Sequence, residues 1–185
     1  SDPVKPEGAY GISKSEAEQG LRILASTSGM EVVIVRSPLV YGYGVKANFA
    51  ALARLVLAGV PLPLASVKDN RRSFVSIENL LDFLLVTLNH PEAANQTFLV
   101  SDGEDLSTTE LIHRIAIALN RPARLLPVPP FLLRAGANLL GKSDVAIRLL
   151  GSLQVNIGKN QLLLGWVPPQ SIDDGLRDAL VAPQN

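Results

Sequence analysis

The stretch AYGISKSEAEQ, residues 9–19, sets a phenol and an ammonium four residues apart, Tyr10 and Lys14. Residues four apart on a helix share a face, so the two groups lie side by side if this segment is helical. The residues that follow predict a helix over 13–28. Ala17, Leu21, Leu24 and Ser28 recur at the helical interval, Glu16, Glu18 and Arg22 fall on other faces, and Gly29 is a plausible stop. On spacing alone the simpler reading is a surface tyrosine and a surface lysine on an amphipathic helix.

Working outward, EVVIVR (31–36) reads as a short buried strand, apolar and β-branched. SPLVYGYG (37–44) reads as a glycine-bearing loop, and ANFAALARLVLAG (47–59) as a helix ending at Gly59. VPLPL (60–64) is a proline-bounded extended piece. RRSFVSI (71–77) reads as a strand running straight into the helix ENLLDFLLVTLN, and QTFLV (96–100) as another strand. In residues 101–121 a turn precedes a helix, with Ser107 and Glu110 at capping-box spacing. PVPPFLLRAGANLLG (127–141) predicts a helix begun by proline. A further short helix, a short strand near LQVN (153–156) and a closing helix at SIDDGLRDAL (171–180) complete the order. Helices alternating with single short strands argue for an α/β protein rather than a sandwich or a bundle. The strands are too few for a complete doubly wound sheet, and no G-x-G-x-x-G follows any of them.

Composition narrows the function. A hydrophobic fraction of 47% against 18% charged is that of a globular chain, not a disordered one. Seventeen basic and 17 acidic side chains cancel, which lowers the rank of nucleic acid as a partner. Cysteine is absent and only His90 and His113 are present, so neither thiol catalysis nor a metal site is expected. The polar start and the lack of an uninterrupted apolar run lead us to expect no signal peptide, no transmembrane segment and a cytoplasmic location. Asp82 interrupts the nearest candidate, NLLDFLLVTL. His113 is expected to be a partly buried structural residue, His90 a cation against a helix end, and Trp166 a core anchor.

The segment YGISKSEAE resembles the Y-x-x-x-K region of the short-chain dehydrogenase/reductases, in the Y-G-x-S-K-x-x-A-E form of the extended class. That class includes sugar-nucleotide epimerases and dehydratases, among them UDP-sugar 4-epimerases. The order downstream is similar too. VVIVRSPLVYGYG looks like the strand and loop beneath the nicotinamide ring, and ANFAALARLVLAGVPLPL like the helix and strand that hold the substrate nucleotide. NRRSFVSIENLLDFLLVTL looks like the arginine-bearing strand and its helix, and LGWVPPQSIDDGLRD like the closing segment. The resemblance implies an incomplete Rossmann-like parallel sheet with a small mixed α/β substrate-binding domain. Residues 1–44 would be the C-terminal piece of the dinucleotide-binding domain. Residues 45–185 would be mainly substrate-binding, with returning Rossmann segments. The family's glycine-rich turn, ribose-binding acid and catalytic Ser/Thr precede the tyrosine, so the expectation is a C-terminal portion that does not bind NAD by itself.

What the resemblance implies for the site follows residue by residue. Tyr10 is the general base and Lys14 its neighbour, which also holds the nicotinamide ribose of NAD, with NADP as the alternative. Ser37, Pro38 and Val40 line the nicotinamide pocket, largely through backbone. Asn48 and Arg72 contact the substrate diphosphate; Asn48 also fits a helix cap, and Arg71 competes with Arg72. The chemistry is consistent: a free phenol has a pKa of about 10, and opposite charge nearby lowers it toward neutrality. The implied activity is NAD-dependent 4-epimerisation of a nucleotide-linked or lipid-diphosphate-linked sugar. The alternatives are a dehydratase, a hydroxysteroid- or dihydroflavonol-type reductase, and a non-catalytic scaffold. Apolar side chains at Leu21, Leu24, Val33 and Val35 are expected to face outward, a surface that should self-associate, giving a homo-oligomer, or be covered by a rearranged segment. The leucines of residues 127–141 are expected to pack inward, although that segment is apolar enough to lean on a membrane.

Overall fold

Chain order begins with α1, Gly8–Ser28, in a computed structural model that describes residues 8–44 and 48–180. Gly29 ends the helix with φ +72°, a left-handed conformation that favours glycine. α1 rests on β1 (Ile34–Arg36), and the contact is ionic. Glu18 accepts from Arg36 Nε at 2.8 Å and from its terminal nitrogen at 2.6 Å. The same guanidinium holds the Glu18 carboxyl below the ordinary glutamate value. β1 pairs in parallel with β4 (Thr97–Leu99), Val35 opposite Phe98.

A second sheet supplies the centre of the molecule. Its middle strand is β3 (Arg72–Ser76), flanked by β2 (Leu39–Tyr41) in parallel and β5 (Asp105–Leu106) antiparallel. β2 corrects the loop expected over 37–44. Leu39, Val40 and Tyr41 align with Phe74, Val75 and Ser76, so β3 turns three residues of that glycine-bearing stretch into a strand. Gly42 follows because a Cβ there would come within 2.4 Å of the Ile77 side chain. Side chains alternate across β3. Phe74 joins a core with Tyr41, Phe49, Ile112, Ile115 and Leu176; Val75 joins another with Phe83, Phe98, Val100 and Trp166.

The helices are α2 (Asn48–Leu57), α3 (Ile77–Asn89), α4 (Thr108–Ala118), α5 (Pro130–Leu139), α6 (Ser143–Leu150), α7 (Gly158–Leu164) and α8 (Ile172–Leu180). Both bonds of the capping box expected at Ser107 and Glu110 are present, and Pro130 opens α5. The strands expected near residues 60–64 and 153–156 reduce to single bridges, Leu62 with Leu125 and Arg72 with Leu153. α7 and β5 are additions to the sequence reading.

Several side chains depart from expectation. His113 is exposed rather than partly buried, because it lies on the solvent side of α4. His90 caps α3, and its Nδ1 accepts the Glu92 N–H at 3.2 Å. Leu21 and Leu24 are exposed, whereas Val33 and Val35 are half-buried against the second core. Trp166 is a core anchor, and its indole N–H donates to Asp82 at 2.7 Å. The leucines of α5 do not all pack inward. Leu133 reaches the core, but Phe131, Leu132, Leu139 and Leu140 stand in solvent.

One buried carboxylate ties these parts together. Asp102 follows β4 and accepts the Tyr41 hydroxyl at 2.7 Å, the Ser76 N–H at 2.9 Å and the Asn79 amide at 2.7 Å. Asn79 in turn exchanges two bonds with the backbone of Gln170, just ahead of α8. Burial raises the pKa of Asp102 despite these donors. Burial first, and the Asp102 charge second, raise that of Tyr41 as well.

Asp102→Ala should lower stability by about 2–4 kcal/mol, because buried donors lose their acceptor. Asp102→Asn keeps one acceptor oxygen and should cost less. A raised folded pKa places the carboxyl's contribution at low pH, and it is lost as pH rises through that value. The gap between wild type and Asp102→Asn should therefore narrow from the ordinary aspartate value of 3.8 upward. Urea denaturation at stepped pH measures it; a gap that widens with pH contradicts this assignment.

Candidate active site

Four elements, α1, β2, α2 and β3, and the link from β1 to β2 carry the residues singled out from the sequence. α1 contains Tyr10 and Lys14, and its unbroken helical backbone places them one turn apart on one face. The Tyr10 side chain lies outside the described residues; Lys14 is exposed. Ser37 and Pro38 form the link from β1 to β2, with Ser37 exposed and Pro38 half-buried. This is the carboxyl end of a parallel strand, where open α/β sheets place their ligands. Val40 sits within β2, opposite Val75, and packs against the second core. Asn48 is the first residue of α2, and its side chain also lies outside the described residues.

Arg72 opens β3 and lines a cavity of about 220 Å³ between α2, β3, α4 and α6. Leu39, Phe49, Leu52, Phe74 and Leu111 form its apolar walls. The Arg72 guanidinium donates to the carbonyls of Arg148 at 2.8 Å and Gly151 at 3.2 Å. These carbonyls lie at the C-terminal end of α6, where the helix dipole favours a cation. Asn70 and Thr108 capture the Leu149 carbonyl beside them, at 3.3 and 2.5 Å. Burial lowers the Arg72 pKa from the usual guanidinium value, yet a guanidinium remains charged in proteins. Arg71 points elsewhere and pairs with Glu110 at 3.1 Å. Of the two arginines, Arg72 is therefore the one in the cavity.

A second cation borders the same space. Arg148, on α6, lines the cavity, and its side chain has no hydrogen-bond or ion-pair partner among the described residues. Sequence reasoning passed over it, since IRLL reads as ordinary amphipathic helix. Only the packing of α6 against β3 brings Arg72 and Arg148 together. Two guanidinium groups beside an apolar wall suit a diphosphate bonded to a less polar group, through paired charge-assisted donors.

The residues present also suit one wall of a dinucleotide site. Lys14 is exposed, Ser37 is exposed at the strand end, and β1 has β4 on one side only in its sheet. The glycine-rich pyrophosphate turn is not among the described residues. No described helix is long and apolar enough to cross a membrane.

Comparison with known proteins places this geometry in a lineage. A model described as the NAD dependent epimerase/dehydratase family matches residues 1–101. A UDP-glucose 4-epimerase of Vibrio cholerae is 52% identical over 181 residues, which is 98% of this chain and 55% of that protein. A dTDP-4-dehydro-6-deoxyglucose reductase of Escherichia coli is 22% identical, over 95% of this chain and 52% of its own. Among solved structures, UDP-N-acetylglucosamine 4-epimerase from Bacillus cereus superposes with a TM-score of 0.76 at 19% identity, covering 95% of this chain and 56% of that one. The last likeness shows the fold alone. The chain spans about half the length of the curated relatives it matches. With more than half its residues inside the family model, the chain belongs to the NAD dependent epimerase/dehydratase family.

Proposed function

We propose that the intact protein inverts carbon 4 of a diphosphate-linked sugar by transient oxidation, with Tyr10 as the acid–base group. The observation that carries this is the register of α1, which sets Tyr10 and Lys14 on one helical face. The match to a UDP-glucose 4-epimerase along nearly the whole chain supports it. So does the cavity that holds Arg72 and Arg148.

NAD, when bound, supplies the hydride acceptor. The chain's own residues do the rest. The Lys14 ammonium favours the phenolate of Tyr10, as opposite charge does. That phenolate takes the proton from the hydroxyl on carbon 4 as hydride leaves the same carbon, which gives a ketone. When hydride returns to the other face, Tyr10 gives the proton back to oxygen, so neither is lost. Lys14 would hold the nicotinamide ribose, and the backbone around Ser37, Pro38 and Val40 would pass beneath the ring. Arg72, with Asn48 at the start of α2, would anchor the diphosphate while the sugar turns. The anchor must be ionic and remote from the sugar, because contacts to the ring would block its rotation. The proposed setting is the cytoplasm, where diphosphate-linked sugars and NAD meet, and the proposed assembly is a homo-oligomer.

Two substitutions test this. Tyr10→Phe keeps nearly the same volume and should fold, yet turnover should fall by about a hundred- to ten-thousand-fold, the usual contribution of an acid–base group. Near-normal turnover of the purified variant removes Tyr10 from the mechanism. Arg72→Ala should weaken UDP binding by about 1.5–3 kcal/mol and leave NAD content unchanged. Titration calorimetry that finds equal UDP affinity in both forms places the diphosphate elsewhere.

A further inference from the structure

Beside the arginine cavity runs a larger apolar groove of about 420 Å³, between α2, α5 and α6. The two spaces adjoin, since Leu52, Leu55, Val145 and Leu149 border both. We infer that this groove takes the hydrocarbon chain of a lipid-linked diphosphate sugar, with its diphosphate at Arg72 and Arg148. The inference rests on the proposed activity and names the substrate class of that same site.

Three observations favour a hydrocarbon over a nucleoside. First, the lining is apolar throughout except for Lys142. A base and ribose placed there would leave several polar groups without partners, and each such burial is unfavourable. Second, no described residue covers the lips of the groove. Leu140 is 74% exposed, and the adjoining Leu139 and Phe131 are 89% and 68% exposed. α5 has no buried residue along its length. An apolar surface of this kind marks an interaction site rather than a stable free face. Third, the charges around it share one sign. Residues 127–150 contain Arg134, Lys142 and Arg148 against a single acid, Asp144. Basic groups interleaved with exposed leucine and phenylalanine suit an anionic lipid surface, from which such a chain would be drawn. The same repulsion disfavours two copies meeting through this face.

The test compares binding of geranylgeranyl diphosphate, kept below its micelle concentration, with binding of UDP to the NAD-loaded intact protein. Burying only a few methylenes shifts affinity about tenfold, so the prenyl diphosphate should bind at least about tenfold more tightly than UDP. Leu140→Glu, at an exposed position, should abolish that preference and leave UDP affinity unchanged; Leu132→Glu, also exposed and lining the groove but not the arginine cavity, should do the same. Equal or weaker binding of the prenyl diphosphate overturns the inference. So does a preference that survives both substitutions. If light scattering instead shows that Leu140→Glu dissociates an oligomer while the preference is unchanged, the face belongs to a second copy. Failure of the underlying activity is separable. Conversion of UDP-sugars without a prenyl preference sinks the groove alone, and a prenyl preference with no conversion at carbon 4 of any diphosphate-linked sugar sinks the epimerase alone.

Discussion

The Asp102 carboxylate is the point on which the rest of the structure depends. It lies beyond the end of β4, yet it receives donors from β2, from the junction of β3 with α3, and through Asn79 from the segment that leads into α8. A charge buried in this way is costly unless its oxygens are satisfied. Here both oxygens accept, one from the Tyr41 phenol and the other from Ser76 and Asn79. The arrangement ties β2, through Tyr41, to the junction of β3 with α3. Gly175, at the same junction, leaves room for Tyr41, since a Cβ there would come within 2.7 Å of the phenol oxygen.

That hub sits at one end of β3, and Arg72 sits at the other. A strand held at its far end, flanked by β2 and β5, gives its first residue a fixed position. Arg72 then grips the terminal carbonyls of α6 and so sets where Arg148 can reach. The cavity is thus a product of strand register rather than of any local loop. The other half of the proposed chemistry is carried separately, on α1, whose attachment to β1 runs through the Glu18–Arg36 pair. The proposed acid–base group and the proposed diphosphate anchor therefore belong to different packing units. That division suits a reaction in which one end of the substrate stays bound while the other end turns.

Much of this was legible before the structure, and the reasons are local. Helical periodicity gives α1 from residue 13 onward, but not its first turn and a half, which begins at Gly8 and carries Tyr10. Ser107 with Glu110 marks the start of α4 through bonds within four residues, and Gly29 and Gly59 mark helix ends through positive φ. What was missed depends on distant partners. β2 is three residues amid glycines, and only β3 makes it a strand. α7 starts after Ile157 without a side-chain cap, so no start signal stands in the sequence. Arg148 and Asp102 look like any exposed arginine and any turn aspartate until packing brings Arg72 to one and Tyr41 to the other. The leucines of α5 were misjudged because apolar composition does not say which side of a helix finds a neighbour.

The most direct test of the central claim follows the hydrogen on carbon 4. Incubate the NAD-loaded intact protein with a diphosphate-linked sugar in deuterium oxide and follow carbon 4 by nuclear magnetic resonance, with absorbance at the nicotinamide band in parallel. The account predicts the carbon-4 epimer with its original hydrogen retained, no deuterium at that carbon, and no net accumulation of reduced nicotinamide. Deuterium at carbon 4, or reduced nicotinamide formed in step with product, would contradict it.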